Sequence, residues 1–304
     1  LKWLAFAAAW LALPAFGAVA PAHVPQSVTF ASIERDAAGR NVALHGYLLL
    51  PRTPVPRGGY PAVIAMHGCG GLHSTRKGHE DELAERLALR AELFLADGFA
   101  VLFPDSFGPR DMREVCTIRI GDRTITANRR RLDALGALTY LAHRNDINAE
   151  RIALVGWSHG GSAVLQAINA RDSEVAAFAT TQNAPSFRAA VAFYPGCNNP
   201  LKAGERWQPG VPTRIHVGEL DDWTPAAPCV ELGRAMAARG ADFDVAIYPG
   251  SYHAFDAPTG KVTRRLDVPN GVHPGEGVTV GPNPAARATA NLRVRTFLRD
   301  RLAP

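Results

Sequence analysis

Gly156-Trp157-Ser158-His159-Gly160-Gly161 follows the apolar run Ile152-Ala153-Leu154-Val155 and precedes Ser162-Ala163-Val164-Leu165-Gln166-Ala167-Ile168, a helix-like segment. The order is strand, sharp turn, helix, with a serine at the apex. Gly156 and Gly160 flank that serine, and glycine permits the close backbone approach that such a turn demands. The N-terminus of the following helix lies beneath Ser158, where its partial positive charge favours developing negative charge. A strand–helix turn without chemistry would not need a serine between two glycines.

On both sides of this turn, short runs of Val, Ile, Leu and Ala alternate with helical patterns. Strands are expected at 28–35, 42–50, 62–66, 100–103, 151–155, 189–194, 214–217 and 243–248. Helices are expected at 80–96, 127–144, 225–239 and 284–302. Buried strands separated by helices predict an α/β fold: a mostly parallel central sheet with helices on both faces. Such sheets bind their ligands at the carboxyl ends of the strands.

The chain has 304 residues, 47% hydrophobic and 20% charged, enough for one large α/β domain over 21–304. Residues 1–20 read differently. Lys2 is followed by an apolar stretch from Leu4 to Leu13, and Ala18-Val19-Ala20 is a small-residue cleavage pattern. This predicts a signal peptide cut after Ala20. Pro14 and Gly17 interrupt the stretch, which argues against a permanent transmembrane anchor. Export to a periplasmic or extracellular space permits disulfides. Cys69, Cys116, Cys197 and Cys229 allow three pairings on paper. Cys69–Cys116 and Cys197–Cys229 are favoured, because each pair lies just beyond the carboxyl ends of successive core strands. The net charge of +5 is spread through helices, as in Arg129-Arg130-Arg131 and 293–301. Solvated helix faces are expected there, and nucleic-acid binding would call for a concentrated patch.

A serine hydroxyl is a weak nucleophile until a base takes its proton. G-x-S-x-G after a strand is the elbow that presents such a serine, with partners following in the order acid, then histidine. Strand 214–217 runs into Gly218-Glu219-Leu220-Asp221-Asp222-Trp223-Thr224-Pro225. Strand 243–248 runs into Pro249-Gly250-Ser251-Tyr252-His253-Ala254-Phe255. The expected triad is Ser158, Asp221 and His253, with Asp222 as the rival acid. His159 is a less suitable base, because its side chain should point into the helix start. A tetrahedral intermediate needs N–H donors for its oxyanion. The expected pair is the backbone N–H of His159 and that of Cys69, with Gly70 second, in the loop His67-Gly68-Cys69-Gly70-Gly71. Phe107, Arg110, Trp157, Tyr194 and Trp223 are candidate pocket walls; Arg110 is expected either to bind an anionic group or to form a surface salt bridge. His67, His73 and His79 are spaced six apart, which does not put them on one helix face. Neither a metal nor a cofactor is expected.

Five stretches resemble the dienelactone hydrolase family of α/β-hydrolases: 67–72, 104–110, 156–161, 218–225 and 248–255. The resemblance spans roughly residues 47 to 302. It implies an α/β-hydrolase fold and hydrolysis of small-molecule esters or lactones. The namesake enzymes use a cysteine nucleophile where this chain has Ser158. Their glutamate near the oxyanion loop falls on Gly68. A serine served by histidine does not need that glutamate, so the two departures are coherent. The expected activity is that of an exported serine hydrolase working through an acyl-enzyme. The alternatives are a peptidase or amidase on the same scaffold and a non-catalytic binding protein that kept it.

Overall fold

A computed structural model describes residues 23–181 and 184–303. The expected signal segment lies outside the described residues. In chain order the strands and helices are β1 Gln26–Arg35, β2 Asn41–Leu49, β3 Tyr60–Met66, α1 Glu85–Leu95, β4 Ala100–Pro104, α2 Ala127–Ala142, β5 Ile147–Trp157, α3 His159–Ala167, α4 Ser173–Ala179, β6 Ala189–Phe193, α5 Asn198–Ala203, β7 Thr213–Gly218, α6 Ala226–Ala238, β8 Phe243–Tyr248, β9 Thr263–Arg265, β10 Val278–Val280 and α7 Pro284–Leu302.

Eight strands form one sheet in the order β1-β2-β4-β3-β5-β6-β7-β8. The pairs from β4 to β8 are parallel, while β1–β2 and β2–β4 are antiparallel. Burial follows topology. β1 alternates between exposed and buried residues towards its end, as an edge strand with one wet face does. β4 and β6 are buried at every position, because helices cover both of their faces. On one face Leu135 and Leu138 of α2, Val164 of α3 and Leu232 of α6 pack on the sheet. On the other, Leu87 and Phe94 of α1 meet Val294 and Leu298 of α7. Among the described residues no helix is long and apolar enough to cross a membrane.

Several expectations shift. The helix expected from residue 80 begins only at Glu85, because the preceding backbone is already committed. Ser74 N–H donates to Glu82 O at 2.9 Å and Ala84 N–H to Leu72 O at 3.0 Å. α4, α5 and the β9–β10 hairpin were not expected. No residue of α4 is buried, so it has no apolar stripe to read; its start is fixed by Asp172, which accepts from Glu174 and Val175 N–H. Arg129-Arg130-Arg131 is not a solvated face. Arg130 is 0% and Arg131 5% exposed, and all three side chains turn inward or onto acids and carbonyls.

Both expected cysteine pairs are disulfides. Cys69–Cys116 joins the loop after β3 to the loop after β4, and Cys197–Cys229 joins the start of α5 to α6.

The β5–α3 turn explains its glycines. A Cβ on Gly160 would lie 2.5 Å from the His67 carbonyl oxygen and closer still to that of Met66. Strand β3 and helix α3 therefore touch backbone to backbone. Gly160→Ala is expected to cost about 3 kcal/mol by forcing these elements apart. Urea unfolding monitored by circular dichroism checks this; an unchanged midpoint would remove the close contact from the account.

Candidate active site

The sheet register gathers the expected residues. β3 and β5 pair with Met66 opposite Gly156, so the loop after β3 lies beside the serine turn. β7 and β8 pair with Gly218 opposite Tyr248, so the loops carrying Asp221 and His253 run side by side. All four loops leave carboxyl ends of parallel strands, and the chain reverses its direction of strand addition at β3. That is the crevice in which such sheets hold ligands.

Ser158 has φ 55° and ψ −119°, the strained conformation expected of the turn. Its Oγ lies 3.0 Å from His253 Nε2. His253 Nδ1 lies 2.8 Å from Asp221 Oδ2. Asp221 Oδ1 accepts from Trp223 N–H at 2.9 Å and Thr224 N–H at 2.8 Å, which fixes the carboxylate. The Thr224 hydroxyl lies 3.1 Å from Asp221 Oδ2 and 2.9 Å from Tyr194 O. The histidine ring is held between Tyr194 and Trp223, with centroids at 4.5 and 4.7 Å. Asp222 points elsewhere: it accepts from Thr279 N–H at 2.7 Å and the Thr279 hydroxyl at 3.0 Å, tying down β10.

His159 opens α3, so its N–H has no carbonyl one turn back to bond. Its imidazole is half-buried and faces Arg130, 3.0 Å from Nδ1. Burial, with Arg130 beside it, holds the His159 pKa well below the ordinary imidazole range, so the ring is neutral. The facing loop is braced at several points. Cys69 is disulfide-bonded, and its carbonyl accepts from Val115 N–H at 2.8 Å. Arg86 donates to Gly71 O at 3.0 Å. His67 is fully buried, and burial together with Arg130 lowers its pKa to about 3.

A cleft of about 600 Å³ opens over Ser158 and His253. Trp157, Tyr194 and Trp223 line it, as does the Cys69–Cys116 bridge. Two expected pocket residues lie elsewhere. Arg110 pairs with Glu34 and with Asp133, so its guanidinium is spent beneath the sheet edge. Phe107 packs on the His67 ring at 4.6 Å and under the Arg130 guanidinium. Neither is a cleft wall; the arginines that line it are Arg86, Arg90 and Arg265. No group of three His, Cys, Asp or Glu residues among the described residues is arranged to hold a metal.

Sequence reasoning missed the support beneath the triad. Arg90 of α1 makes two bonds to Asp256, at 3.0 and 2.8 Å, and one to Tyr194 Oη at 2.9 Å. Tyr194 Oη donates to Asp256 at 2.6 Å and Trp157 Nε1 does so at 2.8 Å. Burial pulls the Arg90 pKa down, but the Asp256 carboxylate outweighs it and the pKa ends raised. Burial pushes the Tyr194 phenol well above its usual range, so it remains a donor. The network links the residue before Ser158, the tyrosine beside His253 and an aspartate three residues after it. That spacing from both motifs was the only available signal for Asp256.

Comparison with known proteins agrees with the resemblance. The dienelactone hydrolase family profile matches residues 44–302. A Bradyrhizobium protein named "Probable 2-oxo-3-(5-oxofuran-2-ylidene)propanoate lactonase" is 25% identical over 215 residues, 66% of this chain and 76% of that protein. The structure of esterase 2 of Thermogutta terrifontis phosphorylated by paraoxon superposes with a TM-score of 0.58 at 16% identity, covering 93% of this chain and 96% of that one. Acylaminoacyl peptidase of Pyrococcus horikoshii superposes with a TM-score of 0.60 at 14% identity, covering 93% of this chain and 42% of the peptidase. At these identities the two structures establish the α/β-hydrolase fold alone. The family match covers most of the chain: it belongs to the dienelactone hydrolase family and is a hydrolase of the carboxylic-ester class.

Proposed function

We propose that the protein hydrolyses small carboxylic esters or lactones through an acyl-enzyme on Ser158. The observation that carries this reading is the continuous relay from Ser158 Oγ through His253 to Asp221, with links of 3.0 and 2.8 Å. His253 Nε2 accepts the Ser158 proton as Oγ attacks the substrate carbonyl. The carbonyl oxygen becomes an oxyanion and accepts from the N–H groups of Cys69 and His159. The intermediate collapses, and His253 returns the proton to the leaving alkoxide. A water then attacks the acyl-enzyme, giving its proton to His253, and the acid leaves as Ser158 recovers its own. Asp221 holds the Nδ1 proton and stabilises the imidazolium. The family and its lactonase relative support an ester or lactone as substrate. The two disulfides fit a protein exported to an oxidising compartment.

A fluorophosphonate probe tests the mechanism and a substrate pair tests the class. The probe is expected to label Ser158 in folded protein, and p-nitrophenyl acetate to be turned over far faster than a peptide p-nitroanilide. Absence of labelling would favour a non-catalytic scaffold. A preference for the anilide would favour a peptidase.

A further inference from the structure

Arg130 is the most unusual charge in the molecule. It is 0% exposed, and among the described residues no carboxylate bonds to it. The nearest acid on its own helix, Asp133, is already bonded to Arg110 and to the Ser32 hydroxyl. Arg130 Nε has no partner. Such burial lowers even an arginine pKa, here to about 9, and leaves it protonated at neutral pH. Asp133 and Asp105 act on it only through space, and a buried charge that no carboxylate bonds is expensive.

Its two bonds are specific. Nη2 donates to His67 O at 2.8 Å, the carbonyl that opens the loop carrying Cys69. Nη1 donates to His159 Nδ1 at 3.0 Å, on the first residue of α3. His159 is neutral, so it can accept. Phe107 supports the guanidinium from one face, 5.0 Å away. One rigid planar group therefore bridges the two segments that carry the oxyanion donors.

We propose that Arg130 is a positioning residue that sets the spacing between the Cys69 and His159 N–H groups. This rests on the oxyanion assignment above. The donors belong to different segments, the loop after β3 and the turn after β5. The β3–β5 pairing and the close approach at Gly160 bring these segments together, and Arg130 is the side chain that bonds both; a donor misplaced by about 1 Å can cost about 100-fold in rate. Lysine keeps the charge but offers one compact ammonium, which cannot reproduce the two-point fork.

The test compares wild type, Arg130→Met and Arg130→Lys. Arg130→Met is expected to lower kcat on p-nitrophenyl acetate about 100-fold, with KM within threefold. Inhibition by an aryl trifluoromethyl ketone, whose hemiketal with serine carries an oxyanion, should weaken by a similar factor. Arg130→Lys should resemble the methionine variant more than wild type. A loss caused only by a smaller folded fraction would lower kcat but leave ketone inhibition of the folded protein unchanged, and would overturn the proposal. So would a folded Arg130→Met with wild-type kcat. If that variant does not fold, the same comparison is read from Arg130→Lys, where wild-type kcat and inhibition would overturn it. Wild-type protein lacking Ser158-dependent hydrolysis would overturn the parent reading and this proposal together. Normal wild-type turnover beside an unimpaired variant would overturn this proposal alone.

Discussion

Ser158→Ala is expected to lower kcat on p-nitrophenyl acetate by about 10⁶-fold, to near the background rate. No neighbouring hydroxyl can take over. Ser162 Oγ bonds the Ser158 carbonyl at 3.3 Å and accepts Gly196 N–H at 2.8 Å, facing the helix rather than the cleft. The Thr224 hydroxyl lies on the far side of His253, at Nδ1. The fold should survive. Alanine is about as strained as serine at φ 55°, and Ser158 Oγ makes its bond only to His253, so the unfolding midpoint should hardly move. His253→Ala should cost nearly as much, and the double variant no more than either single one, because the two act as a unit. Stopped assays with spontaneous hydrolysis subtracted check the series. Residual Ser158→Ala activity above about 1% of wild type, far beyond what a lost nucleophile permits, would assign the attack to another group.

The parts of this site carried by backbone pattern were legible in the sequence. Residues 152–155 are apolar throughout because this end of β5 is buried between helices, and the glycines beside Ser158 mark contacts that exclude a Cβ. Asp221 and His253 follow β7 and β8, the last two strands of the parallel sheet, so chain order places them. The cysteine pairing was legible for the same reason, since strand ends bring the loops together. Buried charges were not legible. A periodicity argument assigns polar residues to the wet face of a helix, so Arg130 reads as a solvent-facing position, and nothing in the sequence singles out Arg90. Their burial depends on partners 29 to 166 residues away, His159 and Asp256, which no local window contains. At Arg110 the salt-bridge alternative holds, in a buried rather than a surface setting. Its place at a strand end suggested the cleft, but Glu34 and Asp133 hold it beside β1 and α2.

The departure at the nucleophile also has a physical setting. A Cβ added at Gly68 would sit 3.7 Å from Ser158 Cβ and 3.4 Å from Trp157 O. The residue that falls where the namesake enzymes carry a glutamate is thus directly beside the nucleophile. A resting thiol there could donate its S–H to such a carboxylate. A serine already bonded to His253 at 3.0 Å gains nothing from a carboxylate pressed against it. In the proposed mechanism Gly68 would leave that space to the substrate and keep negative charge away from the developing oxyanion.

The second large effect separates two adjacent carboxylates. Asp221→Asn is expected to lower kcat by about 10⁴-fold, while Asp222→Asn should stay within about threefold of wild type. The difference follows from hydrogen-bond direction. Trp223 and Thr224 N–H both donate to Asp221 Oδ1, so an asparagine must keep its carbonyl oxygen there. Its NH2 then occupies the Oδ2 position, 2.8 Å from His253 Nδ1. A donor in that place forces Nδ1 to accept, and the ring proton moves to Nε2, facing Ser158. The base is then present, well aligned and already protonated, so it cannot take the serine proton. KM should change little, because Asp221 does not line the cleft. At Asp222 the same substitution can keep the Thr279 N–H bond and loosens the ties to the β9–β10 hairpin, the Thr279 hydroxyl bond and the long Arg264 ion pair. These ties reach His253 indirectly, through Gly281 N–H on the His253 carbonyl at 2.9 Å, which moves no ring proton. Steady-state kinetics on one ester for both variants, with unfolding midpoints to confirm equal folding, separate the two. Equal losses would mean that the acid holding His253 is not Asp221, and the relay would have to be redrawn.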